Sequence, residues 1–240
     1  MPRFFKENFN ENTQITGEDG RHISRSLRMK VGEKLTVCDT FGTDYICEIT
    51  EILDTDVSLK ILETKKSDTE PNINVTLFQC IPKGDKFDTV VQKSVELGVN
   101  TIVPVLSEHC VSRPDQKSMQ KKCARMQKIA IEAAKQSGRG ILPKIENMIN
   151  FNAFLNRIKD FDAVILFYEL GGKPIREIIT DEIKNLAIII GPEGGFAKSE
   201  VEKAIDSGAI AATLGKRILR TETAPLAALT SVMLLSGNLE

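Results

Sequence analysis

From residue 75 onward, short apolar runs alternate with amphipathic stretches, and this alternation constrains the fold more than any other feature of the chain. The apolar runs are 75–81, 101–106, 163–168, 186–190 and 210–214, and helical patterns occupy 85–97, 116–137, 199–206 and 226–236. Continuous apolar strands are typical of a parallel sheet, because crossover helices cover both of its faces. The sequence therefore predicts an α/β fold with a mostly parallel sheet.

The first 62 residues follow a different pattern. Short β-rich runs at 34–38, 45–52 and 57–61 are separated by turn-forming residues, which predicts a small barrel or sandwich. The stretch 63–74 is polar, rich in lysine and interrupted by proline, so we expect a linker there. We expect one domain over residues 1–70 and a second over 71–240.

The charge distribution argues against a protein that coats nucleic acid through its overall charge, because the net charge is −1 and the pI is about 6.2. Positive residues are nevertheless concentrated in two patches. These are Arg21, His22, Arg25, Arg28 and Lys30, and then Arg113, Lys117, Lys121, Lys122, Arg125, Lys128, Lys135, Arg139 and Lys144. They indicate either surfaces that bind a polyanion or solvated helix faces.

Cysteine usage and hydropathy limit the class of protein further. The 5 cysteines are scattered and form no C-x-x-C pair, so we expect reduced thiols and no metal site. Residues 1–10 lack the apolar core of a secretory signal, and no later apolar run is long enough to span a bilayer. We expect a cytoplasmic protein without a membrane partner.

The segment Gly191–Phe196 joins an apolar strand to a helical stretch and contains three glycines. Glycine lets backbone N–H groups approach a ligand closely, and parallel strands place such loops at the edge where ligands bind. It is not a P-loop, because Ala197 stands where glycine must precede Lys-Ser, and the chain has no G-x-G-x-x-G fingerprint. The alternative is an ordinary turn between strand and helix.

The segment Leu214–Pro225 leads into an alanine-rich helix and carries Lys216, Arg217 and Arg220 beside apolar residues. Thr223 is a candidate N-cap of that helix, with Pro225 in its first turn. The alternative interpretation is a helix entry anchored by apolar contacts, with solvated arginines.

Together these two segments resemble the SPOUT superfamily of knotted methyltransferases, and more closely the ribosomal RNA uracil-N3 methyltransferase family, abbreviated RsmE. The rest of the chain resembles the same family, so the resemblance covers nearly all of it. The matching strings are Met1–Phe5, His22–Arg28, Gly32, Lys83–Phe87, Glu96–Gly98, Ser107–His109 and Ala130–Arg139.

The resemblance implies a SPOUT-type α/β knot, with a deep C-terminal trefoil, behind an N-terminal PUA-like β-barrel that binds RNA. It implies methylation of N3 of a uridine in small-subunit (16S) ribosomal RNA, with S-adenosyl-L-methionine as cofactor. A homodimer is implied as well, acting on the RNA or on the assembled 30S subunit. The alternatives are a SPOUT enzyme for another RNA base or for ribose, and a non-catalytic assembly factor that binds RNA.

Carried over position by position, the resemblance implies three groups of cofactor-binding residues. The first is Leu166, Tyr168 and Glu169; the second is Ile190, Gly191, Pro192, Glu193, Gly194 and Gly195; the third is Leu214, Gly215, Ile218, Leu219 and Leu226. One departure is Ala197, where relatives often have a serine that caps the helix, so Ser199 is expected to cap it instead.

Methylation at uracil N3 requires loss of the N3 proton, while negative charge spreads onto the flanking carbonyl oxygens. Arg220 is the candidate to stabilise that charge. Glu222 and Glu169 are the candidate bases, because partial burial raises a carboxyl pKa toward neutral pH. His109 is expected to be structural. The RNA-facing surface is expected to comprise Arg3, His22, Arg25 and Arg28.

Overall fold

The computed structural model describes residues 1–239, whose contacts divide into two units. Unit 1 comprises residues 1–70 and 134–142, and unit 2 comprises residues 71–133 and the described residues from 143 onward. Within residues 1–239, no helix is both long and apolar enough to cross a membrane.

Unit 1 contains a five-stranded sheet. In chain order its strands are β1 (Arg3–Phe5), β2 (Gln14–Ile15), β3 (Lys34–Cys38), β4 (Thr43–Leu53) and β5 (Asp56–Lys66), and α1 (Gly17–Arg21) follows β2. The sheet order is β1-β3-β4-β5-β2, with β1 parallel to β3 and the other pairs antiparallel. Its buried core includes Phe4, Phe9, Ile23, Leu35 and Ile49. Two register shifts between β4 and β5 let these long strands bend around that core.

The predicted bounds of the linker, 63–74, are wrong at both ends. Strand β5 continues to Lys66, which pairs with Thr43, and Asn74 already begins the next strand. The end of β5 is polar because its side chains are exposed, not because the chain leaves the sheet.

A buried ion pair joins the two parts of unit 1. Arg139 is 3% exposed, and its guanidinium donates to both carboxylate oxygens of Glu70 at 2.8 and 2.7 Å. Burial raises the pKa of Glu70, but the hydrogen bonds and charge of Arg139, together with the N–H groups of Gly140 and Ile141, outweigh it and hold the pKa below its ordinary value. Glu70 is therefore a carboxylate on which the folded unit 1 depends.

Unit 2 contains an eight-stranded sheet with helices between its strands. The elements are β6 (Asn74–Cys80), α2 (Lys86–Glu96), β7 (Thr101–Leu106), α3 (Gln116–Ser137), β8 (Lys144–Ile145), β9 (Ile149–Asn150), α4 (Phe151–Arg157), β10 (Ala163–Phe167), β11 (Lys173–Pro174), β12 (Asn185–Ile190), α5 (Lys198–Asp206), β13 (Ile210–Thr213) and α6 (Ala224–Leu235). The last residues of α3, from 134, belong to unit 1.

The sheet order is β11-β13-β10-β12-β6-β7-β8, with β9 also beside β7, and every pair is parallel. The predicted α/β fold with a parallel sheet is confirmed. Phe167 pairs with Ile190 and with Ala212, so β10, β12 and β13 end side by side. The loops that follow these strands therefore open at one edge of the sheet.

The predicted caps of the last two helices have different outcomes. Ser199 does not cap α5, because the helix begins one residue earlier and Ala197 occupies the N-cap position. Alanine has no side-chain acceptor, and the buried carboxylate of Glu200 instead accepts hydrogen bonds from the N–H groups of Ala197 and Glu108. Thr223 does occupy the N-cap position of α6, although its side chain forms no capping hydrogen bond. The trefoil knot stays a prediction.

Candidate functional site

The loops at the carboxyl ends of β10, β12 and β13 surround one open cleft in unit 2, with a volume of about 500 Å³. A cavity of this size accommodates a cofactor or a drug-sized ligand. Its walls come from three segments, residues 167–169, 190–195 and 213–221, together with Ala224 and with Lys86 of α2.

Most residues predicted to bind the cofactor line this cleft. They are Tyr168, Glu169, Ile190, Gly191, Pro192, Glu193, Gly194, Gly195, Leu214, Gly215, Ile218 and Leu219, and the predicted catalytic Arg220 lines it too. Leu166, Leu226 and the predicted catalytic Glu222 do not. The side chain of Leu166 is 0% exposed within β10, between β12 and β13, which corrects its expected place on the cleft surface.

Seven residues of the cleft wall were not among the predicted site residues, namely Lys86, Phe167, Thr213, Lys216, Arg217, Thr221 and Ala224. All except Lys86 lie within or beside the predicted segments, so the segments were located but these members were not assigned to the site. Lys86 is different, because its contact with the cleft spans 107 residues of sequence and no local pattern reports it. The sequence did contain one indication of a role for Lys86, because it lies in Lys83–Phe87, a string that resembles the family.

We call Gly191–Phe196, which is predicted to hold the cofactor, the cofactor loop. An added Cβ would meet a different neighbour at each of its three glycines. Gly195 has φ +68°, and a Cβ there would collide with the carboxylate of Glu169. A Cβ on Gly191 would lie 3.2 Å from the ring of Phe196. A Cβ on Gly194 would face His109, whose ring Nδ1 lies 3.1 Å from the Gly194 carbonyl oxygen. The exposed His109 side chain therefore contacts the loop, and its structural role stays a prediction.

A buried hydrogen-bond network holds the segment 213–221 against the cofactor loop. Thr221 is 5% exposed, and its hydroxyl donates to the Gly191 carbonyl at 2.8 Å. The same hydroxyl accepts from the side-chain amide of Gln79, at 3.1 Å, and Gln79 is 0% exposed at the end of β6. The Thr221 side chain thus connects the segment 213–221 to the loop after β12 and to the end of β6.

Charged side chains form a second connection. The ammonium of Lys86 lies 3.2 Å from Oε1 of Glu193 and 3.1 Å from Oε2 of Glu222. The backbone N–H of Lys83 also donates to Oε1 of Glu193, at 3.1 Å. We refer to Lys86, Glu193 and Glu222 as the Lys86 bridge.

This bridge sets the protonation of its members. The neighbouring carboxylates of Glu222 and Glu193 raise the pKa of Lys86. Burial raises the pKa of Glu222, but its own N–H, the contact with the Lys86 ammonium and the charges of Lys86 and Arg220 outweigh it and hold the pKa below its ordinary value. The expectation that burial raises the Glu222 pKa toward neutral pH is therefore wrong, because a cation faces this carboxylate.

The residues predicted to face RNA lie in unit 1 and have different surroundings. His22, Arg25 and Arg28 are exposed, and Arg25 forms a surface ion pair with Asp54 at 2.7 Å. Arg3 instead donates to both carboxylate oxygens of the buried Asp44, at 2.6 and 2.7 Å, and to the carbonyl of Arg139. Its guanidinium is occupied inside unit 1, so the structure gives no support to Arg3 as an RNA contact.

Two family models match the chain, and they cover both units. A model described as the RNA methyltransferase domain matches residues 69–233, and one described as the RNA methyltransferase PUA domain matches residues 15–62. A ribosomal RNA small subunit methyltransferase E from Bacillus subtilis is 36% identical over 91% of this chain and 88% of its own length. A ribosomal RNA small subunit methyltransferase E from Buchnera aphidicola subsp. Schizaphis graminum is 33% identical over 100% of this chain and 98% of its own length.

The chain belongs to the ribosomal RNA small subunit methyltransferase E family.

Solved structures agree with this assignment. The methyltransferase E of Neisseria gonorrhoeae, solved with bound S-adenosylmethionine, superposes with a TM-score of 0.89 at 34% identity over 98% of both chains. A Legionella pneumophila protein, solved with the same cofactor, superposes with a TM-score of 0.88 at 29% identity over 98% of this chain and 97% of its own. The predicted fold class is confirmed as a SPOUT-type methyltransferase domain behind a PUA-like domain.

Proposed function

We propose that this chain transfers a methyl group from S-adenosyl-L-methionine to N3 of a uridine in 16S ribosomal RNA. The observation that carries the proposal is the cleft at the carboxyl ends of β10, β12 and β13, which is built from the two loops that resemble the family's cofactor segments. Relatives of the same family name, and a neighbour that holds the cofactor, support it.

The residues of the cleft fit this cofactor. Apolar side chains at Ile190, Leu214 and Leu219 suit the adenine ring, and the loop Gly191–Gly195 lines the same cleft. The carboxylate of Glu193 suits the positive groups of the methionine part. When bound, the cofactor supplies an electrophilic methyl group on its sulfonium.

The chain must then remove the N3 proton and stabilise the resulting anion. Arg220 lies exposed in the cleft wall, and a cation placed toward the uracil oxygens contributes on the order of 3 kcal/mol. Glu169 is the better candidate base, since it lines the cleft and forms no ion pair within the described part of the chain. Glu222 is paired with Lys86 and its lowered pKa makes it a weaker proton acceptor, so we assign it to orienting Lys86 and Arg220.

RNA binding completes the proposal. We assign it to residues 1–70, through the exposed His22, Arg25 and Arg28, and catalysis to residues 71–240. A homodimer, a 30S substrate and a cytoplasmic location belong to the same proposal. Replacing Arg25 and Arg28 together by alanine should weaken RNA binding and flatten its salt dependence, since fewer counterions are released. Unchanged affinity and slope would remove this surface from the proposal.

The decisive experiment maps methylated nucleosides by mass spectrometry in ribosomal RNA from cells with and without the protein. Loss of one 3-methyluridine in 16S RNA, restored by the purified protein and S-adenosylmethionine, is expected. Loss of a methyl group from another base or from ribose would identify a different SPOUT activity. If no methylation changes and calorimetry detects no cofactor binding, the chain is a non-catalytic RNA-binding factor.

A further inference from the structure

The Lys86 bridge connects two loops that carry different parts of the proposed chemistry. Glu193 belongs to the cofactor loop after β12, and Glu222 lies directly before α6, two residues after Arg220. Both carboxylates contact the same ammonium, at 3.2 and 3.1 Å. Lys86 itself is fixed in the first turn of α2.

Without the ammonium, two ionised carboxylates would face each other across the cleft wall and repel. Glu193 would keep its hydrogen bond from the Lys83 N–H, so the cofactor loop would stay partly anchored. Glu222 has no such backbone donor on α2, and the segment that carries Arg220 would lose its ionic contact with that helix. The Lys86 ammonium therefore supplies the contact between α2 and Glu222, which no backbone N–H of α2 supplies.

A pair on the same helix provides the contrast. Lys93 contacts Glu96 at 2.9 Å, three residues away, and connects no separate segments. Exposed pairs of this kind contribute little to stability. Lys86 differs because both of its partners lie on other segments of the chain. Glu193 is 107 residues away in sequence, and Glu222 is farther still.

We propose that Lys86 is a positioning residue that holds the cofactor loop and the Arg220–Glu222 segment in one arrangement. This inference rests on the proposed function, in which the first of these loops binds the cofactor and the second acts on the uracil. Lys86 does not touch the reacting atoms in this scheme. The bridge requires a charged ammonium, and an ordinary lysine side chain is already protonated at neutral pH.

The test compares Lys86→Gln, which removes the charge, with Lys86→Arg, which keeps it, and uses Lys93→Gln as the matched control. Calorimetry should show that Lys86→Gln raises the Kd of S-adenosylmethionine by about threefold to tenfold, the scale of a pair of partly exposed ionic contacts. The kcat should fall as well, and Lys86→Arg should restore most of both. Lys93→Gln should match the wild type.

Double-mutant cycles separate the two contacts. Coupling of Lys86 with Glu193 should appear in the Kd of the cofactor, and coupling with Glu222 should appear in kcat. Because Lys86 and Arg220 are the cations that lower the Glu222 pKa, the pKa of Glu222 followed by NMR titration should rise in Lys86→Gln but not in Lys86→Arg. Lys93→Gln should leave it unchanged.

Hydrogen exchange without cofactor distinguishes failure of this inference from failure of the proposed function. The amides of 191–196 and 214–223 should exchange faster in Lys86→Gln than in Lys93→Gln. If the wild type binds no cofactor but this difference is found, the function fails and the bridge stands. The inference is overturned if the amides exchange equally in these two variants, if Lys86→Arg behaves like Lys86→Gln, or if the mutations are additive.

Discussion

Replacing Thr221 by valine tests the network that joins the cleft wall to the cofactor loop. Valine has nearly the same shape as threonine but removes the hydroxyl that donates to the Gly191 carbonyl and accepts from Gln79. Gln79 is fully buried, so its amide would lose a partner that water cannot replace, although it keeps its bond to the Cys80 carbonyl at 3.0 Å. The Gly191 carbonyl is partly accessible and loses less.

Leaving a buried polar group unpaired costs about 1–3 kcal/mol, and an ordinary hydrogen bond contributes about 1 kcal/mol, so Thr221→Val should lower the free energy of unfolding by about 2–3 kcal/mol. For a chain of this size, that corresponds to a fall in Tm of roughly 4–12 °C. The affinity for S-adenosylmethionine should fall too, because the Gly191 end of the cofactor loop is released.

Differential scanning calorimetry and cofactor titration measure these two effects. Thr223→Val is the matched control, because Thr223 is exposed two residues later and makes no capping hydrogen bond. The control should melt and bind like the wild type. Equal melting temperatures and equal cofactor affinities for the two valine variants would refute the reasoning.

Four further substitutions, one of them a control, test other parts of the structure. Gly195→Ala and Gly208→Ala both place alanine at positive φ and should each cost about 1–2 kcal/mol, but only Gly195→Ala displaces Glu169 and should weaken cofactor binding in calorimetry. Because the pKa of Glu70 is lowered in the folded state, its carboxylate stabilises the fold above pH 4.5, and that stabilisation is lost as the pH falls through the folded pKa. Glu70→Gln should therefore be less stable than the wild type at neutral pH and should lose less stability on acidification. Unfolding followed by circular dichroism at several pH values measures both effects. Arg220→Ala should lower turnover roughly 100-fold while cofactor affinity stays near wild type, and an unchanged rate would remove Arg220 from the chemistry.

The hydrophobic pattern was sufficient to predict the long elements of unit 2 but not the short ones, since β8, β9, β11 and α4 have no counterpart among the predicted runs. Strand β7 has the predicted bounds 101–106, and α3 has the predicted bounds 116–137, because their periodicity changes abruptly at both ends. The prediction for β5 ended five residues early, because the last residues of the strand are polar and exposed. Pairing with β4, rather than burial, keeps these residues extended.

The two glycine-containing loops could be located from sequence, but the contacts between them could not. Thr221 and Gln79 are 142 residues apart, and Lys86 is 107 residues from Glu193. Such pairings depend on the order of strands in the sheet, which local periodicity does not encode. The same limit explains Arg3, where a basic residue near the start was predicted to meet RNA and instead pairs with Asp44 inside unit 1.

The division of unit 1 between residues 1–70 and 134–142 limits how the protein can be dissected. A fragment ending at residue 70 would keep Glu70 but lack Arg139, and Cys38 would lose the Gly140 carbonyl to which its thiol donates. Such a fragment should be prone to aggregation when expressed alone. A fusion that places 134–142 next to 1–70 would keep both contacts, so unit 1 has no boundary at a single position of the linear sequence.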